Sequence, residues 1–434
     1  MKGDIHNRRS RILMMEGANF TAGFVTALAN AIVGCGKYEV DGLGFAEPVG
    51  IPLRRRREEV YRSVSYYPAP PRAPRDLKQA ITTASALLSL TEVPDPVADD
   101  PHGVKGYLFR KVFWQNLHAA MRDRVGGHDL YHWHCFVPDY LPALDSLPPD
   151  ARLVLTLWGS DVYRTYGVAE YARQLRAARR ASLVTMATPE LADAFLSKFG
   201  RELESKVRLV SYGSELVDVI DRFHPERDTF LRGIGIDPAK ISIVVGHNSS
   251  PSNQHEAVLR EIARLPEALR SQIAIVIPMT YTGTSSSYVD SIRVLSEQLQ
   301  FPVRILDQRL SPDDVARLRV ATDILIHVPI SDQFSAAMCE SLVGGAVLIT
   351  GGWLPYRRLR ASGVQYHEVF EVGAIARKLG EVLGRFQLER SQVQKNAAIV
   401  RNMMSWQSLV PQWTNVYDEL LNAGTSAPPR SGGA

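Results

Sequence analysis

The sequence predicts an α/β protein made of two Rossmann-like, doubly wound domains that face a central cleft. Three observations carry this expectation. Short apolar runs alternate with helical periods along most of the chain, those runs end in loops rich in Gly, Ser, Asn and His, and one late segment sets two carboxylates around a probable helix. At 434 residues, 45% hydrophobic and 22% charged, the chain is long enough for two compact cores and too apolar for disorder. Its cysteines, Cys35, Cys135 and Cys339, are odd in number and far apart, which suggests neither a disulfide framework nor a zinc cluster and fits a reducing cytoplasm. A net charge of +4 suits phosphorylated ligands or an anionic membrane surface without calling for nucleic acid.

Arg11–Met15 reads as a short buried strand and 16–19 as the loop after it. The apolar stretch that follows is read as a helix packed on the sheet, because Asn19, Thr21, Thr26, Asn30 and several glycines interrupt it as a membrane span. A loop after the first strand of such a domain faces the ligand crevice, so Gly17 and Asn19 are candidate site residues, although turn chemistry alone also explains them. Next come Arg54-Arg55-Arg56-Arg57, Tyr66, Tyr67 and the prolines Pro68, Pro70, Pro71 and Pro74: a solvated surface, or an attachment to an anionic leaflet. The alternation of basic and large apolar residues in Tyr107-Leu108-Phe109-Arg110-Lys111-Val112-Phe113-Trp114 fits either an interfacial helix or a core helix with a basic face.

Further strands are expected at 129–134, 153–157, 182–186 and 207–212. His132 and His134 lie on one side of theirs, but with only Cys135 and His128 nearby a metal site lacks a convincing ligand set. In the second domain Ile241–Val245 runs into a turn at Gly246. The loop after it, His247-Asn248-Ser249-Ser250-Pro251-Ser252-Asn253-Gln254-His255, carries no Lys or Arg. Strands are expected again at 303–307 and 323–328, with a helix starting at Ser311-Pro312 between them.

The segment Asp332-Gln333-Phe334-Ser335-Ala336-Ala337-Met338-Cys339-Glu340-Ser341 follows the last of these. If all of it is helical, the rise per residue puts the two carboxylates roughly 12 Å apart. That distance is too long for joint chemistry on one bond and suits the two ends of a long ligand, with a diphosphate on the helix amides between them. A plainer alternative makes Asp332 an N-cap and Glu340 a solvated side chain. Trp406, Leu409, Trp413, Val416 and Tyr417 then recur at helical spacing.

These residues resemble retaining glycosyltransferases of family 4, which have the two-domain GT-B fold. That family carries Glu-x-Phe-Gly-x-x-x-x-Glu-Ala before a Gly and a small-residue strand. Here Asp332 stands for the first Glu and Ser335 for the Gly. The resemblance implies that Asp332 contacts donor-sugar hydroxyls, Glu340 the ribose, Gln333, Phe334 and Ser335 the donor between them, and backbone at 307–310 the base. It also places Gly17, Asn19, His134 and Trp158 toward the acceptor; there Asp161, in Trp158-Gly159-Ser160-Asp161, would orient an acceptor hydroxyl or take its proton, or else cap a helix from Val162.

The family has Arg and Lys after the glycine corresponding to Gly246. The cation-free loop here is instead similar to that of bacterial lipid-linked acetamidofucosyltransferases, which carry Pro-Ser-Asn-x-His and a later Pro-Met-x-Tyr, matched by Pro278-Met279-Thr280-Tyr281. On that resemblance Gly246, Asn248, Ser249, Ser252, Asn253, backbone amides and a protonated His247 or His255 bind phosphate. The competing account is that donor binding has been lost.

The expectation is therefore a GT-B enzyme with an acceptor-binding domain at 1–213, a nucleotide-sugar-binding domain at 214–405, a helix at 406–422 crossing back to the first domain, and a disordered tail at 423–434. It would transfer a sugar from a nucleoside-diphosphate sugar to a glycan or lipid-linked acceptor, retaining the anomeric configuration and using no metal or other cofactor. It would work in the cytoplasm, with peripheral contact at the inner face of the membrane left open and no nucleic-acid partner. The alternatives are a GT-B sugar phosphorylase, a nucleotide-sugar epimerase and a catalytically silent binding subunit.

Overall fold

A computed structural model describes residues 8–16, 23–45, 60–67, 118, 121–122, 124–280, 286–299 and 301–422. Gly17, Asn19, the four arginines at 54–57, the proline cluster, the 107–114 segment, Tyr281 and the tail at 423–434 lie outside them.

The apolar runs become thirteen strands among the described residues: β1 Ser10–Glu16, β2 Tyr38–Phe45, β3 Val64–Tyr67, β4 Leu130–His134, β5 Leu153–Thr156, β6 Leu183–Met186, β7 Val207–Leu209, β8 Ile241–Val245, β9 Ile273–Pro278, β10 Val303–Leu306, β11 Ile324–His327, β12 Val347–Gly351 and β13 His367–Val369. They form two all-parallel sheets, in the orders β3-β2-β1-β4-β5-β6-β7 and β10-β9-β8-β11-β12-β13. β4, β5, β6, β9, β11 and β12 are buried at every position. Parallel strands covered by helices on both faces need such runs, which explains why these strands read as continuous apolar stretches rather than alternating ones.

Chain contacts divide the protein into two units, Met1–Val210 with Val410–Ala434, and Ser211–Leu409. In the first, Leu13, Met15, Trp133, Leu155, Phe195 and Phe199 share one core. The last helix, Trp406–Asn422, buries Trp413 and Tyr417 completely, and its Tyr417 hydroxyl lies 2.8 Å from His132 Nδ1. Asp418 on the same helix accepts the Tyr38 hydroxyl at 2.6 Å. In the second unit, alternate strand residues feed two cores. Val244, Leu325 and Leu348 pack with Met338, Leu342 and Tyr356, whereas Ile243, Val245, Ile326 and Ile349 pack with Ile262 and Leu379.

Strand order reverses between β1 and β4 in one sheet and between β8 and β11 in the other. At such a point neighbouring connections leave toward opposite faces and open a crevice at the carboxyl ends of the strands. Two local expectations are corrected. Glu16 ends β1, with no part in a loop, paired in register with His134 and fully buried. The carboxylate-bearing helix begins at Ala336, so Asp332 precedes it. Among the described residues no helix is long and apolar enough to cross a membrane.

Candidate functional site

The second switch point brings together the loops after β8 and β11. β8 is followed by Gly246, whose φ of +68° belongs to the left-handed region. A Cβ there would lie 2.6 Å from His255 Nε2 and 3.0 Å from Asn253 Cβ, so glycine is required twice over. The Asn and Ser residues after it bond mainly to one another. Asn248 Oδ1 accepts from Ser250 N at 2.9 Å and from Asn253 Nδ2 at 2.8 Å. Ser250 and Ser252 hydroxyls lie 2.8 Å apart, and Ser249, Asn248 and Asn253 are all buried. Asn253 thus shapes the loop through its amide nitrogen, a role that residue type alone did not reveal.

Gln254 has φ +59°, rare for a residue with a side chain, and its Nε2 donates to the Val328 carbonyl at 2.6 Å. Gly246 N to Ile326 O at 3.0 Å and Ile330 N to Ser252 O at 2.8 Å complete the seam between the two loops. Side by side, therefore, stand a polar glycine-containing loop and the start of the Asp332 segment.

Ser335, where the resembled family has Gly, is the N-cap of the helix Ala336–Val343; its Oγ accepts from Met338 N at 3.3 Å. That removes Asp332 from the capping role. Instead Asp332 Oδ2 accepts the Tyr356 hydroxyl, and His327 Nε2 lies 2.9 Å from that hydroxyl and 3.4 Å from the carboxylate. Burial alone would raise the Asp332 carboxyl, but His327 and Tyr356 outweigh it and hold it below the usual carboxylate range. Burial and the neighbouring Asp332 charge push Tyr356 well above an ordinary phenol. The Phe334 ring stands edge-on to Tyr356 at 6.4 Å, and Gln333 is half-buried.

Glu340 is not a solvated side chain. It is 9% exposed, with Ser214 Oγ donating to it at 2.8 Å and Arg319 Nε at 3.1 Å. Ser214 and Arg319 are partners that spacing could not supply, since they lie 126 and 21 residues away.

The expectation of a protonated His247 or His255 is corrected. Burial pushes His247 down to about 3 and His255 down to about 4, so both are neutral near pH 7. Any phosphate at this loop meets amide, hydroxyl and neutral imidazole dipoles rather than a fixed histidine cation.

In the first unit, the His132 and His134 rings lie 3.8 Å apart between centres, tilted by 36°, and His132 Nε2 lies 2.6 Å from Thr156 Oγ1. Burial lowers His134 to about 3. Cys135, next in the chain, holds φ +80°, an unusual value that marks the carboxyl end of β4. Asp161 lies inside the short helix Ser160–Tyr163, whose N-cap is Gly159, so the capping alternative is also corrected. Its carboxylate is 4% exposed and accepts from Trp158 N at 2.9 Å and Phe136 N at 2.8 Å, tying the loops after β4 and β5 together. Trp158 packs edge-on against Phe24 at 4.9 Å. Among the described residues no group of three or more His, Cys, Asp or Glu is placed to hold a metal.

Comparison with known proteins agrees with this architecture. A family model described as 4-alpha-L-fucosyltransferase glycosyl transferase group 56 matches residues 140–327, a little under half the chain. A search of curated proteins finds no match. Among solved structures, Anabaena Alr3699/HepE in complex with UDP and glucose aligns with a TM-score of 0.68 at 13% identity, covering 95% of this chain and 100% of that one. Sucrose-phosphate synthase from Thermosynechococcus elongatus aligns at 0.67 and 14%, covering 96% and 100%. An α,α-trehalose 6-phosphate synthase from Burkholderia multivorans aligns at 0.65 and 13%, covering 96% and 99%. The fold is GT-B. With the family match running from before β5 through β11, the chain is a glycosyltransferase of that fold.

Proposed function

We propose that the protein transfers a sugar from a nucleoside-diphosphate sugar to a hydroxyl of a glycan or lipid-linked acceptor, with donor contacts in the Ser211–Leu409 unit. The observation that carries this reading is the meeting of the Gly246 loop and the Asp332–Ser335 segment at the β8/β11 switch point. The diphosphate would lie against that loop and the amide end of the helix Ala336–Val343, whose dipole favours negative charge. Asp332 would face the sugar. Glu340, with oxygens already held by Ser214 and Arg319, would use its remaining lone pairs for the ribose. Solved neighbours support the donor class, since Alr3699/HepE has been obtained with UDP, with UDP-glucose, and with UDP and glucose.

In this scheme the departing diphosphate takes the acceptor proton, the anomeric configuration is retained, and preorganised amide and hydroxyl dipoles stabilise the developing charge without a metal. The test is calorimetry of UDP, dTDP and GDP and their sugars, followed by transfer assays in EDTA. Binding of one nucleoside diphosphate and metal-free turnover are expected. The absence of any nucleotide binding would overturn the donor assignment, and activity lost to EDTA and restored by manganese would overturn the metal-free mechanism.

A further inference from the structure

Asp332 is one methylene shorter than the glutamate of the resembled motif, and two buried side chains stand against one of its oxygens. Asp332 lies in the loop after β11 with its side chain 22% exposed, while the groups behind it are buried: His327 is 0% and Tyr356 1% exposed. The Tyr356 hydroxyl donates to Oδ2. His327 Nε2, 2.9 Å away, donates to the phenol oxygen, leaving that phenol one proton to give and one direction in which to give it. His327 Nδ1 has no hydrogen-bond partner, so the bonds of this ring within the cluster all run through Nε2. Tyr356 is itself fixed, because Tyr366 donates to its carbonyl at 3.1 Å and Phe334 packs edge-on to its ring. Every bond to Asp332 reaches Oδ2, and among the described residues none reaches Oδ1.

We propose that Tyr356, backed by His327, is a positioning residue that pins one oxygen of Asp332 so that the other meets a hydroxyl or amino group of the donor sugar. This rests on the donor reading above and deepens it. The free oxygen of an ionised carboxylate accepts from O–H or N–H and repels an acidic sugar, so the site selects hydroxy- or amino-sugars over uronic acids. Tyr356 need not touch the ligand. Its contribution is to remove carboxylate rotamers that would have to be lost when the sugar binds.

The experiment compares wild type, Tyr356→Phe, Asp332→Asn and the double variant by calorimetry. The probes are UDP, dTDP and GDP, each with its glucose, N-acetylglucosamine and glucuronic acid derivatives where these exist. The readout is the sugar increment, the ratio of the Kd of a nucleoside diphosphate to that of its sugar. In Tyr356→Phe the nucleoside diphosphate Kd should stay within about twofold while the increment falls about tenfold, as for one charged hydrogen bond. The double variant should be no worse than Asp332→Asn, since both act through the same oxygen. Glucuronic acid derivatives should gain relative to neutral sugars in Asp332→Asn.

A Tyr356→Phe increment equal to wild type, or effects that add in the double variant, would overturn the proposal. The ligand-free crystal structure of Tyr356→Phe is an independent readout: Asp332 should occupy more than one rotamer, and a single unchanged rotamer counts against the device. Failure of every nucleotide to bind wild type would strike the donor assignment itself, whereas nucleotide binding with an unmoved increment strikes only the role of Tyr356.

Discussion

The side chains of the β8/β11 site are held by partners remote in sequence, and that decides what substitutions there do. Gly246→Ala would force a Cβ into a left-handed backbone and onto His255. The backbone term alone costs about 1–2 kcal/mol, so a lower denaturant midpoint is expected, together with weaker nucleoside diphosphate binding as the loop is displaced; a variant as stable as wild type would mean the loop relaxes freely. Glu340→Gln leaves Arg319 buried beside a neutral amide. A stability loss of about 1–3 kcal/mol is expected, with a similar loss in donor binding if the ribose role is right. Stability loss with donor affinity unchanged in calorimetry would make Glu340 a structural ion-pair partner alone. The two carboxylates could be named from the sequence, but their partners could not: Tyr356 lies 24 residues beyond Asp332, at the N-cap of the helix Arg357–Ala361, with no motif of its own.

At the scale of the element, the helix start at Ser311 was legible while the one at Ser335 was expected at Asp332, and the chemistry of both is simple. Thr188, Ser311 and Ser335 each accept a backbone N–H from three residues on. Ser335→Ala should cost about 1 kcal/mol and Ser335→Gly only a few tenths, measured by urea unfolding; equal costs would show that the hydroxyl does more than cap. Three histidines lowered by burial set the pH response, one ending β4, one in the loop after β8 and one opening the helix His255–Ile262. His134, His247 and His255 are pushed down to about 3, 3 and 4, so below pH 6.5 the unfolded chain binds protons that the folded chain refuses.

Stability should therefore fall as pH drops from 6.5, by about 1.4 kcal/mol per pH unit for each such histidine, until the folded groups titrate near pH 3–4. Asp41 adds a second, lower window. Burial would raise it, but bonds from Arg62, Ser63, His128 and Arg11 hold it far below the usual range, and the stability this confers is present above about pH 4 and lost below it. Urea midpoints at pH 7 and 5 check the first window, and a flat profile between them would contradict the burial of neutral imidazoles. Glu16 belongs to this scale too: the sequence suggested a loop, yet the carboxylate ends a strand beside His134, because parallel pairing continued one residue past the last apolar side chain.

For the whole molecule, two parallel sheets with one reversal each are what make a site possible. A ligand that binds only the folded protein raises the unfolding midpoint by mass action. The nucleoside diphosphate matching the site should thus stabilise the full chain by about 2.7 kcal/mol at a hundredfold excess over Kd, read by thermal shift. A ligand without a diphosphate should give no such shift; equal shifts from nucleoside and nucleoside diphosphate would place recognition on the base alone.

Local pattern determined a good deal by itself. Apolar runs of strand length, the cap at Ser311, the turn at Gly246 and the periodicity from Trp406 to Tyr417 are set within a few residues, so they can be read without knowing neighbours. Strand order, and hence which loops adjoin, depends on crossover connections tens of residues long and was decided only on folding. The same holds for charge at the site. A histidine is neutral or cationic, and an aspartate pinned or free, according to burial and to groups brought close by the tertiary fold, and neither is a property of adjacent residues.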